Sequence, residues 1–148
     1  MNSHSVDVLL VEDSAADAEL TIWELKRHRM SNNLVHVTDG EEALEFLFAT
    51  GKYANRRDND SPPKIILLDI QMPKVNGMEV LKNIKSAERT RAIPVIILTS
   101  SNQHPDIRTC YDLGASSYIV KPLNFERFSE SIRNLGYYWL LLNQTPAP

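Results

Sequence analysis

The chain has little that would direct it to an oxidising compartment, a membrane or nucleic acid. Its single cysteine, Cys110, cannot form an intrachain disulfide, which is typical of a reducing environment. No apolar run approaches the length of a membrane span, and the amino terminus has no basic region followed by a long apolar stretch. The net charge of −3 gives no general attraction to nucleic acid or anionic lipid. We therefore predict a cytoplasmic protein.

Four short apolar runs are the clearest pattern in the chain, and each ends in polar residues suited to phosphate chemistry. Runs of this length are typical of strands in a parallel sheet that is buried on both faces. Ligands of such a sheet bind beyond the carboxyl ends of the strands, so these polar residues should meet at one edge. The runs and the residues that follow them are Val8–Val11 with Glu12 and Asp13, Ile65–Leu68 with Asp69, Val95–Leu98 with Thr99 and Ser100, and Tyr118–Val120 with Lys121.

Between these runs, apolar residues recur at helical spacing and are preceded by helix-start signals. Ser14 and Asp17 resemble a capping box that begins the first helix, and Asn124 can cap the last one. Asn33 to Val37 is a further strand, of alternating character, which makes five strand-then-helix units. These units predict an α/β fold with a five-stranded parallel sheet and helices on both faces. We predict that residues 1–142 form a single domain with an extended aromatic helix at its end, and that residues 143–148 form a flexible tail.

The predicted edge of the sheet gathers carboxylates that would repel one another without a compensating cation. Oxygen ligands on a polar rim favour Mg²⁺ or Mn²⁺. Asp69 is then a candidate nucleophile toward a phosphoryl group, with which it would form an acyl phosphate. Thr99 has a hydroxyl that can donate to a phosphoryl oxygen, and Lys121 can neutralise phosphoryl charge. The residues thus predict a metal-dependent site for phosphoryl transfer.

In their order along the chain, these elements resemble the response-regulator receiver domains of two-component signalling. The similarity extends from residue 6 to about residue 135, and the spacings between the elements are usual in receivers. It implies a flavodoxin-like fold. The matching elements are the acidic pair Glu12-Asp13, the segment from Leu68 to Pro73 with Gly77, the pair Thr99-Ser100, and the pair Lys121-Pro122.

The resemblance implies a role for each residue of the pocket. Asp69 would accept a phosphoryl group from the phosphohistidine of a sensor histidine kinase. Mg²⁺ would be bound by Asp13, Asp69 and the backbone carbonyl of Gln71, with Glu12 acting through water. Lys121 would pair with the Asp69 carboxylate and later with the phosphate.

The resemblance also implies a conformational switch. Movement of Thr99 toward the phosphate would leave space for the ring of Tyr118 to turn inward, which would alter the face formed by the fourth helix, the fifth strand and the fifth helix. Tyr118 could instead be an ordinary half-exposed strand residue. Ser100 and Gln71 flank the path of attacking water, so we expect them to tune the lifetime of the phosphorylated state.

Three further residues are expected to shape the loops around the pocket. Pro73 and Gly77 would form the turn after the phosphoacceptor strand. The bond from Lys121 to Pro122 would be the cis peptide that is common in receivers, and it would aim the lysine inward.

The segment 136–142 is apolar almost all round, although one helix can bury only one stripe of side chains. Tyr137, Tyr138, Trp139 and Leu141 would therefore form an exposed patch, and we expect a homodimer across the last helix. A tail folded back over the patch is the alternative. Too few residues follow for a DNA-binding or enzymatic domain, so the expected output is protein contact.

We therefore predict a stand-alone response regulator that is not an enzyme beyond slow self-dephosphorylation. A long loop before the third strand, together with the carboxyl tail, is similar to the small regulators partnered with cyanobacterial phytochromes, which implies a phytochrome-type kinase. One alternative is a receiver-fold adaptor that works without phosphorylation. Another is a phosphatase of the haloacid-dehalogenase type, which needs a second acid where this chain has Gln71.

Overall fold

The computed structural model describes residues 6–30, 33–56, 62–72 and 74–144, so most of the predicted tail at 143–148 lies outside them. The strands are β1 (Val8–Val11), β2 (Leu34–Val37), β3 (Ile65–Leu68), β4 (Val95–Thr99) and β5 (Ser117–Val120). The α-helices are α1 (Ala15–Arg27), α2 (Gly40–Phe48), α3 (Gly77–Ser86), α4 (His104–Asp112) and α5 (Phe125–Gly136). All strand pairs are parallel, and the order β2-β1-β3-β4-β5 is that of a flavodoxin-like sheet, as predicted.

Helices cover both faces of the sheet. Alternate strand residues point to opposite faces, so Leu9 and Val11 pack beneath α2, α3 and α4, while Val8 and Leu10 pack beneath α1 and α5. Strands β1, β3 and β4 are buried along their whole length. This burial on both faces explains why the three strands appear in the sequence as continuous apolar runs.

The register of the central strands brings the polar residues to one edge. Val11 of β1 lies opposite Leu68 of β3, so Glu12 and Asp69 leave the sheet side by side. Thr99 of β4 lies opposite Val120 of β5, so the chain reaches Lys121 one residue later at the same edge.

Side chains cap the helices that begin at this edge. The Ser14 hydroxyl accepts from the backbone N–H of Asp17 at 3.3 Å and thereby caps α1. The second half of the predicted capping box is not formed, because the Ser14 N–H donates to the Glu12 carboxylate at 3.2 Å. Asn76 and Asn124 cap α3 and α5. The Asp17 carboxylate is therefore not used in capping.

Gly77 has a different role from the turn residue that the sequence suggested. It is the first residue of α3, and its φ is not positive. A Cβ at this position would lie 2.4 Å from the Asp69 carbonyl oxygen and 2.4 Å from the Ile70 Cα. The glycine thus permits α3 to begin against the backbone of the phosphoacceptor segment. Pro73, the other predicted turn residue, lies outside the described residues.

The prediction of a cis bond before Pro122 is wrong, because no described peptide bond is cis. A trans bond is the favoured form before proline by about 0.5–1 kcal/mol. Lys121 reaches inward with this trans bond, since its Nζ lies 3.1 Å from Oδ2 of Asp69.

The last helix continues as a π-helix, Tyr137–Leu142. Leu140 is buried in the core beneath α1 and α5, and Trp139 packs partly buried against the same core, so Trp139 does not belong to the predicted exposed patch. Lys64, which precedes β3, donates from Nζ to the Leu140 carbonyl and ties the π-helix to the amino edge of the sheet. The exposed side chains, here named the C-terminal patch, are those of Tyr137, Tyr138, Leu141 and Leu142.

We expect Gly77→Ala to lower the free energy of unfolding by about 1–3 kcal/mol, because the added methyl must displace the backbone at Asp69 and Ile70. Urea denaturation followed by circular dichroism measures this change. Alanine at an unobstructed helical position would instead stabilise the protein by roughly 0.5–1 kcal/mol. A more stable variant would therefore contradict the close approach.

Candidate functional site

The acidic pair follows β1 at the edge of the sheet, with Glu12 buried and Asp13 exposed. The backbone of Glu12 is fixed on both sides. Its N–H donates to the Val37 carbonyl at 3.0 Å, and its carbonyl accepts from His36 Nε2 at 2.8 Å. A carbonyl can only accept, so Nε2 carries the ring proton. His36 thus helps to position the pair, a role that its place in an alternating strand did not indicate.

Asp69 follows β3, and its carboxylate is almost wholly buried. Its backbone N–H donates to the Val11 carbonyl at 3.1 Å, which continues the pairing of β1 with β3 by one residue. Its Oδ1 accepts from the Gln71 N–H at 2.9 Å, and its Oδ2 accepts from Lys121 Nζ at 3.1 Å. Both carboxylate oxygens are therefore oriented by fixed donors.

Lys121 is the centre of the pocket, because its buried ammonium contacts three carboxylates. Nζ lies 2.6 Å from Oε1 of Glu12, 2.9 Å from Oδ2 of Asp17 and 3.1 Å from Oδ2 of Asp69. Sequence reasoning paired Lys121 with Asp69, placed Glu12 at the metal site and assigned Asp17 to a helix cap. No signal along the chain separated the two uses, because an acid in the first turn of a helix is expected near its cap.

Burial and charge act in opposite directions on these groups. Burial raises the pKa of Glu12 to about 7 although the Lys121 ammonium beside it favours the carboxylate. Burial would lower the pKa of Lys121, but hydrogen bonds to Asp17 and Glu12 outweigh that effect and raise this pKa above its ordinary value. The lysine therefore stays charged, and Glu12 takes up a proton at a higher pH than an ordinary glutamate does.

The same edge fits a divalent metal ion. One carboxylate oxygen each from Glu12, Asp13 and Asp69 lie within 4.8 Å of one another. These are hard oxygen donors, and their mutual repulsion is relieved by a small cation of high charge. Three of the four residues that the sequence assigned to a metal site, Glu12, Asp13 and Asp69, are thus brought together.

Thr99 and Ser100 adjoin the lysine at the end of β4. Thr99 is fully buried, and its carbonyl accepts from the Lys121 N–H at 2.7 Å. Ser100 is exposed and lines an open cavity of about 360 Å³ together with Lys121 and Pro122. The structure therefore places both hydroxyl residues next to Lys121, with Thr99 inside the protein and Ser100 at the wall of this cavity.

Tyr118 is linked to this region through Ser101, a residue that sequence reasoning missed. The Tyr118 hydroxyl donates to the Ser101 carbonyl at 2.9 Å, and the Ser101 N–H donates to Oγ1 of Thr99 at 3.5 Å. The Ser101 hydroxyl donates to the carboxylate of Asp106 in α4. Tyr118 is partly buried against the core, and burial raises its pKa. One loop residue thus contacts β4, β5 and α4.

This arrangement defines the receiver class of signalling domains. Its parts are a parallel sheet and, at the carboxyl edge of that sheet, an acidic pair, a buried aspartate, a threonine and a lysine. Comparison with known sequences agrees. The chain belongs to the response regulator receiver domain family, whose sequence profile matches residues 8–133.

Individual relatives match over most of their length. The chain is 38% identical over 141 residues to a probable methanogenesis regulatory protein, FilR2, of Methanothrix harundinacea, and covers 88% of it. It is 35% identical over 140 residues to response regulator Rcp1 of Synechocystis, and covers 92% of it. The crystal structure of the phosphorylated cyanobacterial phytochrome response regulator RcpA superposes with a TM-score of 0.88 at 35% identity, covering 97% of this chain and 99% of that one. The Mn²⁺-bound form of Rcp1 also superposes with a TM-score of 0.88.

Family membership sets the general function. Receiver domains of response regulators are phosphoacceptors in two-component signalling rather than enzymes that act on a free substrate. The fold and the acidic cluster agree with this class. Among the helices that the structure describes, none combines the length and apolar character of a transmembrane segment.

The raised pKa of Glu12 predicts that the metal-free protein loses stability as the pH rises through about 7. The folded state holds this proton more tightly than the unfolded chain, so the stabilisation is full below the unfolded pKa of 4.5 and disappears above about 7. We expect a loss of at most about 3 kcal/mol.

Urea denaturation in the presence of a chelator, between about pH 5 and pH 8, measures this loss for the wild type and for Glu12→Gln. Every other titratable group is common to the two proteins, so its contribution cancels in the difference. The pH dependence assigned to Glu12 would be refuted by equal slopes in the two proteins.

Proposed function

We propose that Asp69 accepts a phosphoryl group from the phosphohistidine of a sensor histidine kinase. A carboxylate oxygen of Asp69 forms the new bond to phosphorus while the bond from phosphorus to the histidine nitrogen breaks. The observation that carries this proposal is the fixed carboxylate of Asp69, held by the Gln71 N–H at 2.9 Å and by Lys121 Nζ at 3.1 Å. Phosphoryl transfer depends chiefly on such alignment and on charge neutralisation.

Mg²⁺ is the proposed metal ion, because the donors are oxygens on a polar rim. Asp13, Asp69 and the backbone carbonyl of Gln71 would hold it, with Glu12 acting through water. When bound, the ion neutralises charge on the phosphoryl oxygens. The cluster of three carboxylates supports this assignment, and so does the relative whose structure contains Mn²⁺.

Thr99 and Lys121 are proposed to bind the phosphoryl oxygens. Tyr118 is proposed to change its position when Thr99 moves toward the phosphoryl group. If the Thr99 hydroxyl turns toward the phosphoryl group, the Ser101 N–H that now contacts it at 3.5 Å loses its acceptor. Ser101 also accepts from Tyr118 and donates to Asp106, so its displacement would alter β5 and α4 together. Ser100 and Gln71, which are both exposed, are proposed to tune hydrolysis and make self-dephosphorylation slow.

The cavity beside Lys121 offers apolar surface for a partner protein. Leu123 is fully exposed and Phe125 is 66% exposed, and both line the cavity that contains Asp17 and Lys121. Exposed apolar side chains of this kind mark contact surfaces. The likeness to RcpA, a cyanobacterial phytochrome response regulator, supports a phytochrome-type kinase in the cytoplasm as the proposed phosphoryl donor.

Two other functions receive less support. A phosphatase of the haloacid-dehalogenase type would need an acid near the leaving group, and Gln71 offers an amide there. A phosphorylation-independent adaptor would not need Glu12, Asp69 and Lys121 to converge at 2.6–3.1 Å.

Incubation with Mg²⁺ and acetyl phosphate, followed by intact-mass measurement, should give one phosphoryl adduct. Asp69→Asn should abolish it, because the amide is not a nucleophile. Asp112→Asn, which changes an exposed residue of α4 in the same way, should leave it intact. Steady phosphate release at enzymatic rates would favour the phosphatase, and no adduct on the wild type would favour the adaptor.

We further propose that the protein forms a homodimer through the C-terminal patch. Tyr137, Tyr138, Leu141 and Leu142 are each about half exposed. Tyrosine is favoured at interfaces because it combines apolar area with a polar tip. The ties of Leu140 and Trp139 to the core hold this surface in place. Trp139, included in the interface by sequence reasoning, would support the patch from beneath.

Sedimentation at tens of micromolar should show a dimer that Leu141→Glu converts to monomer, because the introduced charge would be buried without a partner. Leu123→Glu places the same charge on an exposed leucine just before the first residue of α5, at the opposite end of that helix from the C-terminal patch. This variant should leave the dimer unchanged. A monomeric wild type at these concentrations would remove the dimer proposal.

A further inference from the structure

We propose that Asp17 is a positioning residue for Lys121, and that together with Glu12 it aims the ammonium group at the phosphoryl group on Asp69. The inference rests on the proposed function of Asp69 as phosphoacceptor. It assigns a task to a carboxylate outside the acidic pair, on the first turn of α1.

The donor geometry of the ammonium group carries the argument. An ammonium has three N–H donors, and three carboxylates surround Nζ, at 2.6 Å from Glu12, 2.9 Å from Asp17 and 3.1 Å from Asp69. Two donors held by Glu12 and Asp17 leave the third directed at Oδ2 of Asp69. When a phosphoryl group is bonded to Asp69, this third donor is already aimed at its oxygens.

Asp17 is well fixed for such a task. Its N–H donates to the Ser14 hydroxyl at 3.3 Å, and its carbonyl accepts from the Thr21 hydroxyl at 2.8 Å. The lysine side chain, by contrast, is a flexible four-carbon stem ending in a point charge, so its direction depends on its partners. A carboxylate on a capped helix supplies a rigid reference for that flexible group.

A purely structural role would have a different signature. The Asp17 side chain is 31% exposed, whereas that of Glu12 is 3% exposed. Loss of the Asp17 charge therefore leaves no wholly buried polar group without a partner. An acid in the first turn of a helix also favours the helix dipole, which would affect stability alone. The test must therefore measure the Lys121 ammonium signal and the binding of a phosphoryl analogue, as well as stability.

The variant is Asp17→Asn, with Glu19→Gln as the matched control. Glu19 is an exposed acid of α1 and is not a partner of Lys121 in the part of the chain that the structure describes. The probe is beryllofluoride with Mg²⁺, a non-covalent analogue of the phosphoryl group. We expect Asp17→Asn to weaken beryllofluoride binding about five- to tenfold, since a charge-assisted hydrogen bond that orients the donor is lost. Glu19→Gln should bind as the wild type does.

A spectroscopic readout follows the lysine directly. In metal-free protein with ¹⁵N-labelled lysine, the buried Lys121 ammonium should exchange its protons slowly with water, and this signal should broaden or disappear in Asp17→Asn. Urea denaturation of each variant checks stability separately. An unchanged ammonium signal in Asp17→Asn would overturn the proposal.

A double-mutant cycle asks whether Asp17 acts through the lysine. In a Lys121→Met background, Asp17→Asn should no longer weaken beryllofluoride binding. If it weakens binding as before, Asp17 acts by another route and the proposal fails. If Lys121→Met does not fold, the ammonium signal of Asp17→Asn decides whether Asp17 acts through the lysine. A wild type that binds no beryllofluoride and forms no adduct would refute the proposed function, whereas a wild type that does both, with an equally competent Asp17→Asn, would refute only this inference.

Discussion

One buried ammonium group among three carboxylates is the interaction on which the acidic edge of this protein depends. Without the Lys121 charge, Glu12, Asp17 and Asp69 would repel one another at distances where burial strengthens electrostatic forces. The lysine reduces that repulsion without removing it, because a single positive charge cannot balance three negative ones. The remaining excess of negative charge makes the edge receptive to a divalent cation.

The fold separates this acidic edge from the C-terminal patch. Helix α5 begins beside Lys121 and leads to the π-helix, which Lys64 ties to the amino edge of the sheet. Twelve residues of α5 span roughly 18 Å, so no side chain of the patch reaches the pocket. Communication between the two surfaces would have to pass through packed elements. Ser101, which contacts Thr99, Tyr118 and Asp106, is the best-connected starting point for such a path.

Local patterns predicted much of the architecture, and tertiary contacts explain where prediction stopped. The strand runs, the caps at Ser14 and Asn124, and the parallel sheet all follow from short-range rules. Trp139 was assigned to the exposed patch because a helical wheel does not show that the turn widens into a π-helix and that this ring packs on the core. Gly77 was assigned to a turn because its actual constraint is not visible along the chain. That constraint is the neighbouring backbone of Asp69 and Ile70.

The sequence by itself determined which residues meet at the edge, because the carboxyl ends of parallel strands converge in any sheet of this kind. Asp69, Glu12 and Lys121 directly follow strands and Thr99 is the last residue of one, so the strand pattern sets their positions. Only the tertiary structure decided that Asp17 joins them. Its carboxylate could have closed a capping box with Ser14, and nothing local distinguishes that use from another. Lys121, 104 residues further along the chain, decided it, because its ammonium has three donors and the strand ends supply acceptors for only two of them, Glu12 and Asp69.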